Sequence, residues 1–210
     1  MKVLMVNGSS NLKGCTFTAL TEVGKALEKQ GIAYEIFQIG PKPIRDCIGC
    51  GKCHDGKCIF NDDDVNQFLE KAQEADAFVF GSPVYFAHPS GRLLSFLDRA
   101  FYCSTTAEKH PFRFKPAAAV VSARRGGTTA SVDVVNKYFT ICMMPVVASN
   151  YWNMVHGNSP DEVMQDLEGL QTMRNIGENM AWMLKNIECG KANGIPMPSV
   201  ETSNRTNFIR

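Results

Sequence analysis

The sequence predicts an α/β fold in which a parallel β-sheet is covered by helices on both faces. Short, continuously apolar runs at residues 3–6 and 77–81 have the character of buried strands. Between them lie segments whose apolar residues recur at helical spacing, as at Leu20, Val23 and Leu27. Strands that alternate with helices form parallel sheets with right-handed crossovers, so this order of elements predicts the fold class.

Each predicted strand is a short apolar run that ends in a loop. The five predicted strands lie at residues 3–6, 32–39, 77–81, 117–121 and 145–149. The helices between them carry apolar residues three and four positions apart. These are Leu20, Val23, Ala26 and Leu27; Val65, Phe68, Leu69 and Ala72; Leu93, Leu94, Phe96, Leu97 and Phe101; and Val134, Val135, Tyr138 and Phe139. Gly31 ends the first helix, Asn61 or Asp62 caps the second, and residues 159–162 begin a last helical region that extends to about residue 187.

Five such strands in the order 2-1-3-4-5 form a flavodoxin-like three-layer sandwich, which is the fold that we predict. The chain has 210 residues and is 44% hydrophobic, enough for one domain over residues 1–190, with an arm at 191–210. In this architecture ligands bind beyond the carboxyl ends of the strands, and FMN binds between strands one and three. We therefore expect a site in the loops that follow strands one, three and four.

The loop after the first strand has the composition of a phosphate cradle. It runs from Gly8 to Thr16 and opens a helix, whose free N–H groups and positive dipole end favour an anion. It has neither the Gly-Lys-Ser/Thr ending of a nucleoside triphosphate loop nor a three-glycine dinucleotide motif, so a phosphomonoester such as that of FMN fits better. The same residue types also occur in ordinary turns and helix caps. The predicted contacts are Ser9, Ser10, Asn11, Gly14, Cys15 and Thr16.

The other two loops suit a flat aromatic ring. Residues 83–86 offer apolar contact and backbone hydrogen bonds, and residues 122–127 combine close backbone approach with positive charge near a reduced flavin or the phosphate of NADPH. A rigid connection and a solvated arginine pair are the alternatives. The predicted contacts are Pro83, Val84, Tyr85, Phe86, Ser122, Arg124, Arg125, Gly126 and Gly127.

Charge and composition narrow the range of partners. The chain has 22 Lys and Arg against 21 Asp and Glu, interspersed, which gives no electrostatic case for binding nucleic acid or a membrane surface. The apolar run at the N-terminus is brief, so we expect a cytoplasmic protein that acts on a small molecule.

Four of the eight cysteines fall within twelve positions, at Cys47, Cys50, Cys53 and Cys58. Thiolates at this spacing can hold an iron-sulfur cluster, can hold a zinc ion less comfortably, or can remain free. Cys15 begins a helix, a position that lowers a thiol pKa, although a small filler residue is its simpler role. We expect Cys103, Cys142 and Cys189 at buried apolar positions. The acidic run at 62–64 fits the start of a helix better than a metal site.

Three segments of the chain, taken in order, resemble the NADPH-dependent FMN reductases of the flavodoxin-like superfamily. They are Gly8-Ser9-Ser10-Asn11, Gly81-Ser82-Pro83-Val84-Tyr85-Phe86 and Arg125-Gly126-Gly127-Thr128-Thr129. The resemblance implies noncovalent FMN, with NAD(P)H as co-substrate and a flavin, quinone or similar small molecule as acceptor. No catalytic side chain is assigned, because flavin N5 carries the chemistry. It also implies a homodimer or homotetramer, for which Tyr151-Trp152 and the tail at 206–209 are candidate contacts.

The cysteine spacing resembles the compact motif of the iron-sulfur flavoproteins, a branch of the same family. This second resemblance implies a four-iron, four-sulfur cluster and an electron carrier that receives electrons from ferredoxin. A zinc-stabilised regulatory flavoprotein is a third interpretation.

Overall fold

The computed structural model describes residues 1–209 and consists of alternating strands and helices. The strands are β1 (Lys2–Asn7), β2 (Ala33–Gln38), β3 (Ala77–Tyr85), β4 (His88–Pro89), β5 (Ala117–Ala123) and β6 (Met154–His156). The helices are α1 (Cys15–Lys29), α2 (Val65–Glu74), α3 (Gly91–Ser104), α4 (Thr128–Ile141), α5 (Pro160–Val163) and α6 (Leu167–Ala192).

The strands form one sheet with the order β2-β1-β3-β5-β6, and all neighbours along this path are parallel. The short β4 pairs antiparallel with the end of β3 and lies off the path. Without β4 the order is 2-1-3-4-5, so the flavodoxin-like prediction is confirmed.

The two faces of the sheet bury two separate cores, and residues alternate between them along each strand. Leu4 and Val6 pack with α2, α3 and α4, whereas Val3 and Met5 pack with α1 and α6. Such strands are buried on both faces, which is why their sequences are continuously apolar rather than alternating.

Helices α1 and α6 cross closely because α6 has a glycine at the contact. A Cβ atom at Gly177 would lie 2.6 Å from the Cβ of Ala26 and 2.7 Å from the carbonyl oxygen of Val23. On the same helix, a Cβ at Gly190 would have no neighbour nearer than 3.5 Å. The packing of α6 against α1 therefore requires glycine at 177 but not at 190.

Several predicted element boundaries are wrong. The strands predicted at 77–81 and 117–121 continue to Tyr85 and Ala123, so the first residues of the two predicted loops belong to β3 and β5. The last strand is β6 at 154–156 rather than 145–149; residue 146 makes one bridge to Ala117 and the chain then leaves the sheet. The helical region that begins at 159 is two helices, α5 and α6, rather than one, and α6 continues to Ala192. Helix α2 has Asp64 at its N-cap, two residues after Asp62 and three after Asn61, the predicted caps.

The C-terminal segment beyond residue 194 has no helix or strand up to residue 209, and most of it is exposed. The last position of the predicted arm, 210, lies outside the described residues. Across residues 1–209, none of the helices combines the length and the apolar character that a membrane crossing requires.

One histidine is built into the fold in its neutral form. The Nδ1 atom of His110 accepts hydrogen bonds from the N–H groups of Phe112 and Arg113, each at 3.3 Å. Burial, together with the positive charges of Arg113 and Lys115, lowers the pKa of His110 to about 4. A proton on Nδ1 would displace both backbone donors.

Candidate functional site

A cleft of about 270 Å³ opens at the carboxyl ends of the strands, where the predicted loops meet. Residues from four loops line it: Ser9, Asn11, Gly14, Cys15, Thr16, Pro83, Val84, Tyr85, Ser122, Ala123, Arg124, Gly157, Asn158 and Pro160. Ten of the fifteen residues predicted to bind a cofactor are among them. The other five lie outside this lining: Ser10, Phe86, Arg125, Gly126 and Gly127.

The loop after β1 is held by a chain of short polar contacts that starts at the fully buried Asn7. The Asn7 side chain donates to Gln38 Oε1 at 2.7 Å and accepts from the N–H of Ser9 at 3.1 Å. Ser9 Oγ in turn accepts from the N–H of Asn11 at 3.1 Å. Because this contact uses a lone pair of Oγ, the hydroxyl hydrogen of Ser9 stays available to a ligand in the cleft.

Helix α1 begins at the floor of this loop without a side-chain cap. Gly14 is its N-cap residue, and the first turn contains no acidic residue. The N–H groups of that turn and the positive end of the helix dipole are therefore free to meet an anion.

Close backbone contact joins the first loop to β3. The N–H of Gly8 donates to the carbonyl oxygen of Gly81 at 2.8 Å, and Ser90 Oγ donates to the carbonyl oxygen of Gly8 at 3.0 Å. A Cβ at Gly8 would lie 2.6 Å from the Gly81 oxygen, so only glycine fits here. Ser90 is also the N-cap of α3, which fixes the start of that helix against the cleft.

The end of β3 turns back sharply beside the cleft. Phe86 and Ala87 connect β3 to β4 and have φ angles of +49° and +63°, which are unfavourable for residues with side chains. The turn leaves the ring of Phe86 fully exposed to solvent. Strain of this kind is typical of ligand-binding loops.

The loop after β5 reaches the cleft through Ser122 and Arg124. Ser122 Oγ lies 2.8 Å from Thr16 Oγ1, and both hydroxyls are buried, so this contact ties the loop to α1. Arg124 is exposed. Gly127 has a φ of +93°, and a Cβ there would lie 2.5 Å from Ala87 Cα. Because Gly127 has no side chain, its backbone can pack directly against the turn after β3.

A fourth segment, which follows β6 and was not among the predicted site loops, also lines the cleft. Gly157 and Asn158 belong to it, and Pro160 begins the helix α5 that follows. The carbonyl oxygen of Gly157 accepts a hydrogen bond from Cys15 Sγ at 3.6 Å. Burial raises the pKa of the Cys15 thiol, so the lowered pKa considered for a helix start is wrong. The side chain packs against the core and also lines the cleft. Placing the last strand at 145–149 hid this loop, since the loop follows β6.

The four clustered cysteines face a second cavity, here called the cysteine chamber. Its lining residues are Cys47, Ile48, Cys50, Gly51, Cys53, Cys58, Phe60, Arg99, Tyr102 and Cys103. The loop of residues 46–59 that carries the four cysteines lies along α3, which contributes the last three of these residues. Gly49 and Gly51 have positive φ angles, so the loop bends tightly between its first three cysteines.

Two neighbouring elements hold Cys58 in place. The side chain of Asn66, on α2, accepts from the N–H of Cys58 at 2.8 Å and donates to its carbonyl oxygen at 2.9 Å. Arg99, on α3, directs its Nε–H toward Cys58 Sγ at 3.4 Å and pairs with Asp63 through another of its nitrogens. Burial is the largest influence on the pKa of Arg99 and lowers it, but these two hydrogen bonds and the negative charge of Asp63 together keep the pKa above the ordinary value.

The fifth cysteine of the chamber, Cys103, was expected only as a buried apolar residue. It is buried, and its Sγ lies 3.3 Å from Cys53 Sγ. Burial, followed by this contact, raises its thiol pKa. Cys142 is buried as expected, whereas Cys189 is exposed, which makes that expectation wrong.

The donor set of the chamber consists of five thiols, those of Cys47, Cys50, Cys53, Cys58 and Cys103. Within residues 1–209, no three His, Cys, Asp or Glu side chains lie close enough together to form a single-ion site. Thiols around a shared cavity are the ligands that a larger cluster needs. The acidic run at 62–64 is used in ion pairs, Asp62 with Arg45 and Asp63 with Arg99.

Known proteins share this fold and much of this sequence. An iron-sulfur flavoprotein of Methanocaldococcus jannaschii is 33% identical over 194 residues, which cover 90% of this chain and 100% of that protein. A second iron-sulfur flavoprotein of the same organism is 30% identical and covers 88% of this chain and 98% of its own length. The solved structure of RosB with bound 8-demethyl-8-formylriboflavin-5′-phosphate has a TM-score of 0.69 at 16% identity, over 100% of this chain and 94% of its own, and shows a common fold. The family model of the NADPH-dependent FMN reductases matches residues 1–159, most of the chain, and the chain therefore belongs to that family.

Proposed function

We propose that this chain holds FMN in the cleft and acts as an NAD(P)H-dependent oxidoreductase that reduces flavin, quinone or a similar small acceptor. One observation carries the proposal: an uncapped helix N-terminus, a free Ser9 hydroxyl hydrogen and an apolar loop meet in one cleft. This combination suits a ligand with a phosphate at one end and a flat ring at the other.

The phosphate end of the cleft is the loop from Ser9 to Thr16. Backbone N–H groups and the dipole of α1 would supply most of the binding, because the cleft-lining residues of this loop carry no positive charge. Ser9 and Asn11 would add neutral hydrogen bonds, and Ser10 would contribute its backbone from the rim. Thr16, buried against Ser122, would shape the floor.

The ring end lies between the loop of β3 and the loop of β5. Pro83, Val84 and Tyr85 would contact the ring face and edge, with Phe86 poised on its strained turn at the rim. FMN bound here would supply hydride transfer at N5, so the chain itself needs no acid-base residue. Arg124 would place positive charge near the ring, and the backbone of Arg125, Gly126 and Gly127 would border it.

A second candidate function is favoured by the cysteine chamber. If Cys47, Cys50, Cys53 and Cys58 hold a four-iron cluster, the protein would pass single electrons between ferredoxin, cluster and FMN. The full-length likeness to iron-sulfur flavoproteins supports this candidate. Both candidates place FMN in the same cleft.

Anaerobic purification followed by FMN reconstitution, iron analysis and absorption spectroscopy tests both candidates. A two-banded flavin spectrum that bleaches rapidly with NADPH indicates a reductase. An added broad brown shoulder, about four irons per chain and slow bleaching with NADPH indicate the electron carrier. Failure to retain FMN would contradict both.

We also propose that the protein is a homodimer or homotetramer in the cytoplasm. Tyr151 and Trp152 are half exposed and contact each other edge to face, with ring centroids 4.7 Å apart, and Phe208 in the tail is almost fully exposed. Aromatic surfaces of this kind are enriched in interfaces. Light scattering at several protein concentrations, with and without Trp152→Ala, tests the assembly.

A further inference from the structure

The cysteine chamber contains a fully buried positive charge. Arg99 is 1% exposed and has the largest of the fully buried side chains. Removing a guanidinium group from water is very unfavourable unless its N–H groups find strong acceptors. The acceptors of Arg99 therefore indicate what its charge does.

Three of these acceptors are oxygen atoms of residues that flank the cysteine loop, here called its stems: Arg45 before the loop, and Phe60 and Asp63 after it. Nη1 donates to the carbonyl oxygen of Arg45 at 3.2 Å and also contacts the carboxylate of Asp63, and Nη2 donates to the carbonyl oxygen of Phe60 at 3.1 Å. Arg45 precedes Cys47, and Phe60 follows Cys58. A single side chain on α3 thus clamps the loop before its first cysteine and after its last.

The fourth acceptor is sulfur: Nε lies 3.4 Å from Cys58 Sγ. A neutral thiol is a weak acceptor and would compensate poorly for a buried guanidinium donor. A thiolate bound to iron is anionic and makes a charge-assisted hydrogen bond. An iron-bound Cys58 would therefore satisfy the Nε–H of Arg99 better than a neutral thiol does.

We propose that Arg99 is a positioning residue for a cluster held by this loop, fixing the loop stems through its Nη atoms and setting the reduction potential of the cluster through its Nε–H. The inference rests on the second function proposed above. Reduction adds one negative charge to a cluster, and hydrogen bonds to its sulfur ligands favour the reduced state. Loss of the Arg99 contact should therefore make reduction harder.

Arg99→Lys tests this, with Arg92→Lys as the matched control. Arg92 lies on the same helix and also donates to loop carbonyls, those of Pro41 and Lys42, but it is absent from the chamber lining. All proteins are reconstituted anaerobically with iron and sulfide, and iron content, FMN content and the cluster midpoint potential are measured. We expect Arg99→Lys to shift the reduction equilibrium about tenfold toward the oxidised cluster, roughly 59 mV for one electron, and Arg92→Lys to shift it little.

Each outcome decides the proposal. An unchanged potential in Arg99→Lys with full iron content overturns it, and so does equal loss of iron in both variants. Loss of iron in Arg99→Lys alone supports the positioning role. Wild-type protein that takes up no iron overturns the inference, while its retention of FMN and reduction by NADPH would leave the flavin reductase proposal intact.

Discussion

Replacing Ser9 by alanine should weaken FMN binding strongly while leaving the fold intact. The hydroxyl accepts from the N–H of Asn11 and keeps its own hydrogen free in the cleft, so alanine removes a donor from the proposed phosphate position. Asn11 is exposed, so its N–H can turn to water after the change. The cost to stability should therefore stay below about 1 kcal/mol.

The size of the binding effect follows from the charge of the ligand. A hydrogen bond to a charged group contributes about 1.5–3 kcal/mol, and 1.4 kcal/mol corresponds to a tenfold change in affinity. The FMN dissociation constant of Ser9→Ala should therefore rise about 10-fold to 100-fold. The backbone donors of α1 remain, so binding should weaken rather than disappear.

Fluorescence titration of the FMN-free protein measures this change, with thermal unfolding as a check on the fold. Ser10→Ala is the control, because Ser10 is the adjacent hydroxyl residue and does not line the cleft. It should change the dissociation constant less than about twofold. Equal affinities for both variants and the wild type would remove Ser9 from the binding site.

Three further changes test the fold, the pH dependence and the chamber. Gly177→Ala should lower the free energy of unfolding by about 1–3 kcal/mol, because its Cβ would lie 2.7 Å from a carbonyl oxygen of α1. Gly190→Ala on the same helix has room for the added methyl group and should raise the free energy of unfolding by about 0.5–1 kcal/mol. Urea unfolding that gives both changes the same sign would contradict the packing. Burial holds the folded-state pKa of His110 at about 4 against an ordinary 6.5, so the unfolded chain binds the extra proton. The free energy of unfolding should accordingly fall, by up to about 3 kcal/mol, as the pH drops from about 6.5 to about 4, and less in His110→Gln. Cys50→Ala should abolish bound iron and keep FMN. Cys189→Ala, at an exposed cysteine on α6, is the control and should keep both iron and FMN. Iron content that is unaffected by Cys50→Ala would remove Cys50 from the proposed cluster ligands.

The central part of the fold could be predicted because its signals are local. Strands buried on both faces are continuously apolar, as at Leu4 and Phe78. The segments at the carboxyl ends of β1, β3 and β5 were therefore found, although β3 and β5 extend into the predicted loops, and the parallel order brings these ends to one edge of the sheet.

The edge strand could not be placed in the same way. Residues 145–147 and 154–156 are both short and partly apolar, and both make backbone contacts with β5. Only the register against β5 decides which run forms the strand, and register is a tertiary property. The error hid Gly157 and Asn158 from the predicted site.

Arg99 was missed although the sequence contains a signal for it. It lies three residues after Phe96 and four before Cys103, so it falls on the buried stripe of α3 and not on its polar face. An arginine on an apolar stripe needs buried acceptors. Its principal partner, Asp63, lies in an acidic run that also fits the start of a helix, and spacing alone does not join two segments 36 positions apart.

The cleft and the chamber have no lining residue in common, and α3 contributes residues only to the chamber. Ser90 ties the start of α3 to Gly8, whereas Arg99, nine residues later and roughly 14 Å along the helix, faces the cysteines. Substitutions at such a separation without common partners are usually additive in free energy. The flavin and iron contents of this protein should therefore respond to separate sets of residues, so Ser9→Ala should leave bound iron unchanged and Cys50→Ala should leave bound FMN unchanged.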